Sequence, residues 1–365
     1  MNLELTSNFT FYFLLFISIG SLLSIALFWN RIFRKGIRNL FVRILLLILV
    51  QILIVISVGV GINRSQGFYS SWTDLFGGKQ DFSSTAISTN SLTHLSKKDL
   101  SKASKIGDLL VVKDTIVGEK SGVSNEVLLV LPQSAVNSIQ NGAALNPAKY
   151  QVVEFLTGFP SKPVMWFKAL NVERDIADFN KTHPREIIGI IPEINVDGQN
   201  DLECMNLPGN QPQAETWLTD DMRTYFDKRL GILNGKWISA GVSTGGWCAF
   251  MFAVRKPNLY SGALSIAGYY RPALPLKDPI ALQNSMIKKY DVPTMEQILT
   301  NKVPMYLVAS RGDIYSYRET HRFLAKKHPN LNIQYHEILT GGHNPRVWKS
   351  SITPGLNWLA TNLNP

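Results

Sequence analysis

Two uncharged apolar runs near the N-terminus constrain this chain most. Phe9–Trp29 is about 21 residues long and Ile44–Ile62 about 19. At about 1.5 Å of rise per residue, each helix reaches across the roughly 30 Å of a bilayer's hydrocarbon core. A core helix of a soluble protein carries a polar stripe, and these runs have none. A cleaved signal peptide needs a basic leading segment, but Met1-Asn2-Leu3-Glu4 is acidic and the first run is too long. The expectation is a two-helix transmembrane hairpin over residues 1–62, with helices at about 9–29 and 41–62. Between the two uncharged runs lie Arg31, Arg34, Lys35, Arg38 and Arg43 with no acid. The positive-inside rule places that connection in the cytoplasm. The expected location is the cell membrane, multi-pass with two spans, everything after Ile62 being extracytoplasmic.

Of the formal charge of +10, about +6 belongs to the chain after Ile62. That surplus suits an anionic membrane or polymer surface and is too small for a nucleic-acid footprint. With 365 residues, 45% of them hydrophobic, the chain has ample material for a packed core, which excludes intrinsic disorder and a disulfide-dense mini-protein. Residues 63–105 read as a juxtamembrane stalk and linker. FYSSWTDLFGG carries Phe68, Tyr69, Trp72, Leu75 and Phe76, which suit either the headgroup level or a short helix packed on the next domain. Gly78 to about Ala103 is rich in Ser, Thr, Lys and Asn without an apolar period, as in a linker.

From about Ile106 the pattern turns ordered. DLLVVKDTIVG and NEVLLVLPQSA read as paired strands around Gly118–Gly122. Further strands are predicted at Tyr150–Gly158, Glu186–Pro192, Trp237–Ser243, Gly262–Gly268, Val303–Ala309 and Ile333–Leu339. Helices are predicted at about Pro163–Asn180, Thr216–Leu230 and Gly245–Val254. Apolar strands alternating with helices imply an α/β domain over residues 106–365, a doubly wound, mostly parallel sheet covered on both faces.

The chemistry sits at strand ends. Gly241-Val242-Ser243-Thr244-Gly245 fits G-x-S-x-G, a pattern that chance alone supplies in about one chain in ten of this length. Its context sharpens it: an apolar strand runs into it and a helix rich in small residues follows. Such a turn pushes the Ser243 hydroxyl above the sheet and aims the Thr244 N–H at an oxygen that gains charge. The plainer alternative is a helix N-cap serine. A serine nucleophile needs a base. Among His94, His183, His321, His328, His336 and His343, only His343 follows two glycines (Gly341-Gly342) directly after a strand. His94 is in the linker. His183, His321 and His328 are expected at solvated helix ends, and His336 against the sheet face. The orienting acid is expected in Ser310-Arg311-Gly312-Asp313 after the preceding strand, at Asp313. The rival Glu319 is expected on the next helix, facing solvent. A second oxyanion donor is expected from Thr157-Gly158-Phe159-Pro160, the loop after the third strand, through the Phe159 N–H; Gly158 as a mere turn residue is the alternative.

These pieces together resemble one family. FLTGFP (Phe155–Pro160), DLECMNLPG with ETWLTDDM (Asp201–Met222), GVSTGGWCAF (Gly241–Phe250) and GGHNPRVW (Gly341–Trp348) are similar to the Putative esterase family of α/β-hydrolases. It includes esterase D-like enzymes and actinobacterial mycolyltransferases. The resemblance covers about 250 residues. It implies an α/β-hydrolase fold, no cofactor and no metal, a Ser243, Asp313, His343 triad, and an oxyanion hole from the Phe159 and Thr244 amides. The mycolyltransferase pattern has a Glu in a longer insertion and a His amid Ser and Trp. SRGD and GGHN depart from it, which favours the simpler esterase branch. The hairpin resembles the topology of actinobacterial membrane-tethered esterases. Similar members carry cysteines at both motifs, so a Cys204–Cys248 bridge clamping the loop beside the site is expected outside the membrane; two unpaired buried thiols are the alternative. The expected activity is hydrolysis of carboxylic esters, lipid or cell-envelope esters among them, through an acyl-enzyme on Ser243. Transfer of the acyl group to a sugar or lipid hydroxyl is the second reading, and a non-catalytic surface protein on a hydrolase fold the third.

Overall fold

A computed structural model describes residues 7–32, 37–66, 95–196, 201–231, 235–274 and 280–363. Arg34, Lys35, His94, the aromatic stretch 68–76 and most of the predicted linker lie outside the described residues. The chain divides into two units, Met1–Gln80 and Asp81–Pro365.

Among the described residues, the first unit holds helices Asn8–Ile32 and Ile37–Gln66, each long and apolar enough to cross a membrane, with mean hydropathies of 2.3 and 3.0 over their apolar windows. They run antiparallel. Ser18 Oγ lies 2.8 Å from Ser57 Oγ, and a methyl group on Gly61 would stand 2.9 Å from the Phe11 ring. Thr10, Ser18, Ser57 and Asn63 are buried, whereas Phe16, Leu27 and Val55 are each at least 70% exposed. The pair thus shields polar side chains and turns apolar ones outward, the inverse of a helix pair built for water.

The second unit is built on nine strands: β1 (Ser104–Ile106), β2 (Leu109–Val117), β3 (Ser124–Pro132), β4 (Tyr150–Leu156), β5 (Glu186–Pro192), β6 (Trp237–Val242), β7 (Tyr260–Ile266), β8 (Val303–Ser310) and β9 (Leu331–Ile338). Their spatial order is β1-β2-β3-β5-β4-β6-β7-β8-β9. Pairings as far as β3–β5 are antiparallel and the remainder parallel. β4 is buried throughout, and its neighbours Val152 and Val153 enter cores on opposite faces. One core takes the helix Thr244–Arg255, the other the helices Val172–Thr182 and Ile352–Asn362. A sheet covered on both sides needs apolar residues at every strand position, which explains the unbroken apolar runs.

The predicted helix over 163–180 is two pieces, Met165–Lys168 and Val172–Thr182, separated where Asn171 adopts φ of 59°. The helix predicted from Thr216 begins at Ala214 and carries a π-helical turn at Trp217–Asp221 before Met222–Leu230. Ordered structure also starts earlier than Ile106. A one-turn helix, Lys97–Leu100, is closed by a capping box between Ser96 and Asp99, and β1 follows. β1 makes Tyr150–Leu156 the fourth strand rather than the third.

The topology locates the site. β4 lies between β5 and β6, so the chain leaves β4 to one side and returns on the other. The carboxyl ends of strands at such a reversal open a crevice that neither crossover covers.

Candidate active site

Ser243 leaves the end of β6 with φ of 57° and ψ of −122°, backbone geometry that a side-chain-bearing residue adopts only when its surroundings enforce it. Three glycines permit the turn. A methyl group on Gly241 would stand 2.0 Å from the Gly245 carbonyl oxygen, and one on Gly245 would meet the Leu156 oxygen at 2.2 Å. On Gly246 it would lie 2.9 Å from the Ile266 oxygen. The helix Thr244–Arg255 therefore packs against β4 and β7 at distances only glycine allows, and Ser243 stands partly exposed above the sheet.

His343 Nε2 lies 2.8 Å from Ser243 Oγ, and His343 Nδ1 lies 2.5 Å from Asp313 Oδ2. The loops carrying the two partners are interlocked. Ser310 Oγ donates to the Gly341 carbonyl at 2.5 Å, and a methyl group on Gly312 would stand 2.4 Å from that same oxygen. Gly341 itself has φ of 109°, and a methyl group there would meet Val347 at 2.4 Å. Trp348 sets its ring at 81° to the His343 imidazole, with centroids 4.7 Å apart. Asp313 is buried, and its second oxygen, Oδ1, accepts the Ser316 N–H as N-cap of the helix Ile314–Leu324. One carboxylate thus caps a helix and holds an imidazole. The arrangement can move a proton from Ser243 Oγ to His343 Nε2 while Asp313 faces the cation that forms.

Gly158 lies directly beneath this group: a methyl group there would stand 3.0 Å from Ser243 Cβ. The Phe159 and Thr244 N–H groups have no protein acceptor among the described residues. Phe159 is joined to Pro160 by a cis peptide bond.

The other histidines are placed elsewhere. His183 stacks on Phe179, His321 faces Glu337, and His336 is an exposed residue packed on Tyr306 rather than enclosed at the sheet face. His328 is not a solvated helix-end residue. Its side chain is buried, with Nδ1 2.5 Å from Glu296 and Nε2 2.9 Å from the Phe323 carbonyl. Glu319 likewise does not face solvent. It is buried and paired with Arg271, Arg318 and Arg322, because three guanidinium groups cover it where its own helix would expose it.

Cys204 and Cys248 are bonded, with Cα atoms 5.7 Å apart. Closing a loop of this length stabilises the fold by about 4 kcal/mol in the chain-entropy model. Cys204→Ser is therefore expected to lower the melting temperature by on the order of 10 °C. Two alkylatable thiols in protein isolated without reductant would contradict the bond.

Sequence reasoning did not single out a polar cluster beside Ser243. Thr244 Oγ1 donates to Asp201 Oδ2 at 2.9 Å, and Tyr269 donates its hydroxyl to Glu203 Oε1 at 2.7 Å. Glu203 is buried, and that burial, reinforced by the neighbouring Asp201 charge, pushes its carboxyl up to about 8. The available signal was two acids flanking Leu202 immediately before Cys204.

Comparison with known proteins places these features in context. The model of the Putative esterase family matches residues 145–359. An uncharacterised protein of Corynebacterium glutamicum is 23% identical over 235 residues, which is 59% of this chain and 54% of that protein. The chain thus spans about half the length of the curated relative it matches. Among solved structures, a ferulic acid esterase aligns with a TM-score of 0.55 at 20% identity, covering 70% of this chain and 98% of its own. An S-formylglutathione hydrolase from Agrobacterium tumefaciens aligns with a TM-score of 0.59 at 12% identity, covering 72% and 98%. The fluorophosphonate-binding serine hydrolase F of Staphylococcus aureus aligns at 0.53 and 16%, covering 69% and 99%. At these identities the likeness is one of fold, an α/β-hydrolase-like mixed sheet.

Proposed function

The chain belongs to the Putative esterase family, and from that premise we propose that it is a membrane-anchored serine esterase whose acyl-enzyme forms on Ser243. The observation that carries the reading is the chain of contacts from Ser243 Oγ through His343 to Asp313, at 2.8 and 2.5 Å.

In this reading Ser243 Oγ attacks the ester carbonyl as His343 Nε2 takes its proton. Asp313 holds the imidazole in the tautomer that leaves Nε2 free and stabilises the imidazolium. The Phe159 and Thr244 N–H groups, unclaimed by other acceptors among the described residues, face the negative oxygen of the tetrahedral intermediate. The imidazolium returns its proton to the departing alcohol. Water then attacks the acyl-enzyme by the same relay and releases the acid. A panel of esters of graded chain length, offered with and without sugar acceptors, tests this. Release of free acid in the presence of acceptors is expected. Acyl-sugar formation at the expense of acid would instead identify a transferase.

The hairpin anchors the enzyme in this account. Its support is the outward turn of apolar side chains in the first unit, together with five cations between the two uncharged runs. The layout is a hairpin over residues 1–62 joined to an extracytoplasmic catalytic domain whose ordered structure begins by Lys97, ahead of the boundary expected at 106. A disulfide in that last domain accords with an oxidising compartment. Cysteines introduced after Ile62 are expected to react with an impermeant maleimide in intact cells, while those at 34–38 are spared. The opposite labelling would overturn the orientation.

A further inference from the structure

We propose that Asp201 and Glu203 are positioning residues for the ester reaction, fixing the Thr244 amide beside Ser243 by way of the Thr244 hydroxyl. The proposal rests on the serine-esterase reading above.

The segment 201–204 is tied twice to the helix that begins at Thr244. The Thr244 hydroxyl donates to Asp201 Oδ2 at 2.9 Å, and one helical turn later Cys248 is bonded to Cys204. Thr244 and Cys248 are four residues apart, so both ties fall on one face of the helix. Asp201 Oδ1 also accepts the Glu203 N–H at 2.9 Å, so a single carboxylate joins the strap's own backbone to Thr244. Glu203 and Cys204 both take left-handed backbone angles, φ of 51° and 56°, which two consecutive side-chain-bearing residues hold only when anchored. The anchors of Glu203 are the Ala273 N–H and the Tyr269 hydroxyl, each at 2.7 Å. Tyr269 OH lies 3.4 Å from Thr244 Oγ1 and closes the cluster. Thr244 is buried, so its hydroxyl has this cluster in place of water.

Rotation of the Ser243–Thr244 peptide would move the amide off the oxyanion. The hydroxyl on the same residue is the nearest handle against that rotation, and the strap grips it. Placing two carboxylates here has an electrostatic cost, because a negative cluster opposes the negative charge that develops on the substrate oxygen. The titratable groups facing Glu203 are Asp201 on its own segment, Tyr269 after β7 and Tyr315 on the Asp313-capped helix. None is a cation. Burial keeps the Glu203 carboxyl protonated up to about pH 8, so at neutral pH the cluster carries the Asp201 charge alone. Above that pH a second negative charge appears two hydrogen bonds from the oxyanion amide.

The test uses the full-length protein in detergent with a soluble short-chain ester. Thr244→Val keeps the side-chain shape and removes the hydroxyl. It is expected to lower kcat about tenfold with KM little changed, less than the 10²–10³ lost when an oxyanion donor is deleted outright. Thr244→Ser is expected to restore most of kcat. The wild-type kcat should fall above about pH 8, and Glu203→Gln should remove that fall. If Glu203→Gln does not fold, the Thr244→Val and Thr244→Ser pair is the deciding measurement. Wild-type kcat in Thr244→Val, or an unchanged alkaline fall in folded Glu203→Gln, overturns the proposal while Ser243→Ala stays inactive. Retained turnover in Ser243→Ala would instead overturn the underlying esterase reading.

Discussion

Ser243→Ala is expected to lower ester turnover by about 10⁴–10⁶ and to leave the melting temperature close to wild type. Removing the hydroxyl deletes the nucleophile, and among the described residues Ser243 Oγ is the hydroxyl hydrogen-bonded to His343 Nε2. What survives is binding and the oxyanion amides, which by themselves give modest rate enhancement. Alanine at this position keeps the strained φ of 57° but adds no bulk, so folding should not change. Parallel assays of turnover and thermal melting separate the two effects.

The second large effect concerns the histidine and its acid. His343→Ala is expected to match Ser243→Ala, since the serine proton then has no acceptor, and the double variant should be no worse than either. Asp313→Asn should cost less, about 10³–10⁴, because the base remains but is held in the wrong tautomer. Asparagine also preserves an oxygen for the Ser316 N–H, so the cap on the helix Ile314–Leu324 persists. Glu319→Gln provides the contrast. It leaves Arg271, Arg318 and Arg322 gathered around an uncharged amide, so its effect should appear in thermal stability and not in kcat. A silent Asp313→Asn beside a damaging Glu319→Gln would reassign the acid.

Much of this site was legible because its signals are local. The strand Trp237–Val242 is an unbroken apolar run, and the glycines at 241, 245 and 246 mark a turn whose tightness only glycine permits. Asp313 and His343 each follow a strand directly, so a parallel sheet brings them to the same end as Ser243. What escaped depends on contacts distant in sequence. Glu319 reads as an exposed helical residue until Arg271, 48 positions earlier, covers it. Asp201 and Glu203 look like ordinary loop acids, and only folding sets them against Thr244 and Tyr269. The break at Asn171 was hidden for a different reason. The stretch keeps helical periodicity on both sides, and one left-handed residue changes the direction of the chain without interrupting the apolar pattern.

The proposed mechanism puts the acyl group on Ser243. Full-length protein can be mixed with a slowly turned-over ester, quenched in acid within one turnover, digested and analysed by mass spectrometry. Close to one acyl group per chain is expected on the peptide containing Ser243, and none in Ser243→Ala. Steady turnover with that peptide unmodified, or with the acyl group on another residue, would contradict it.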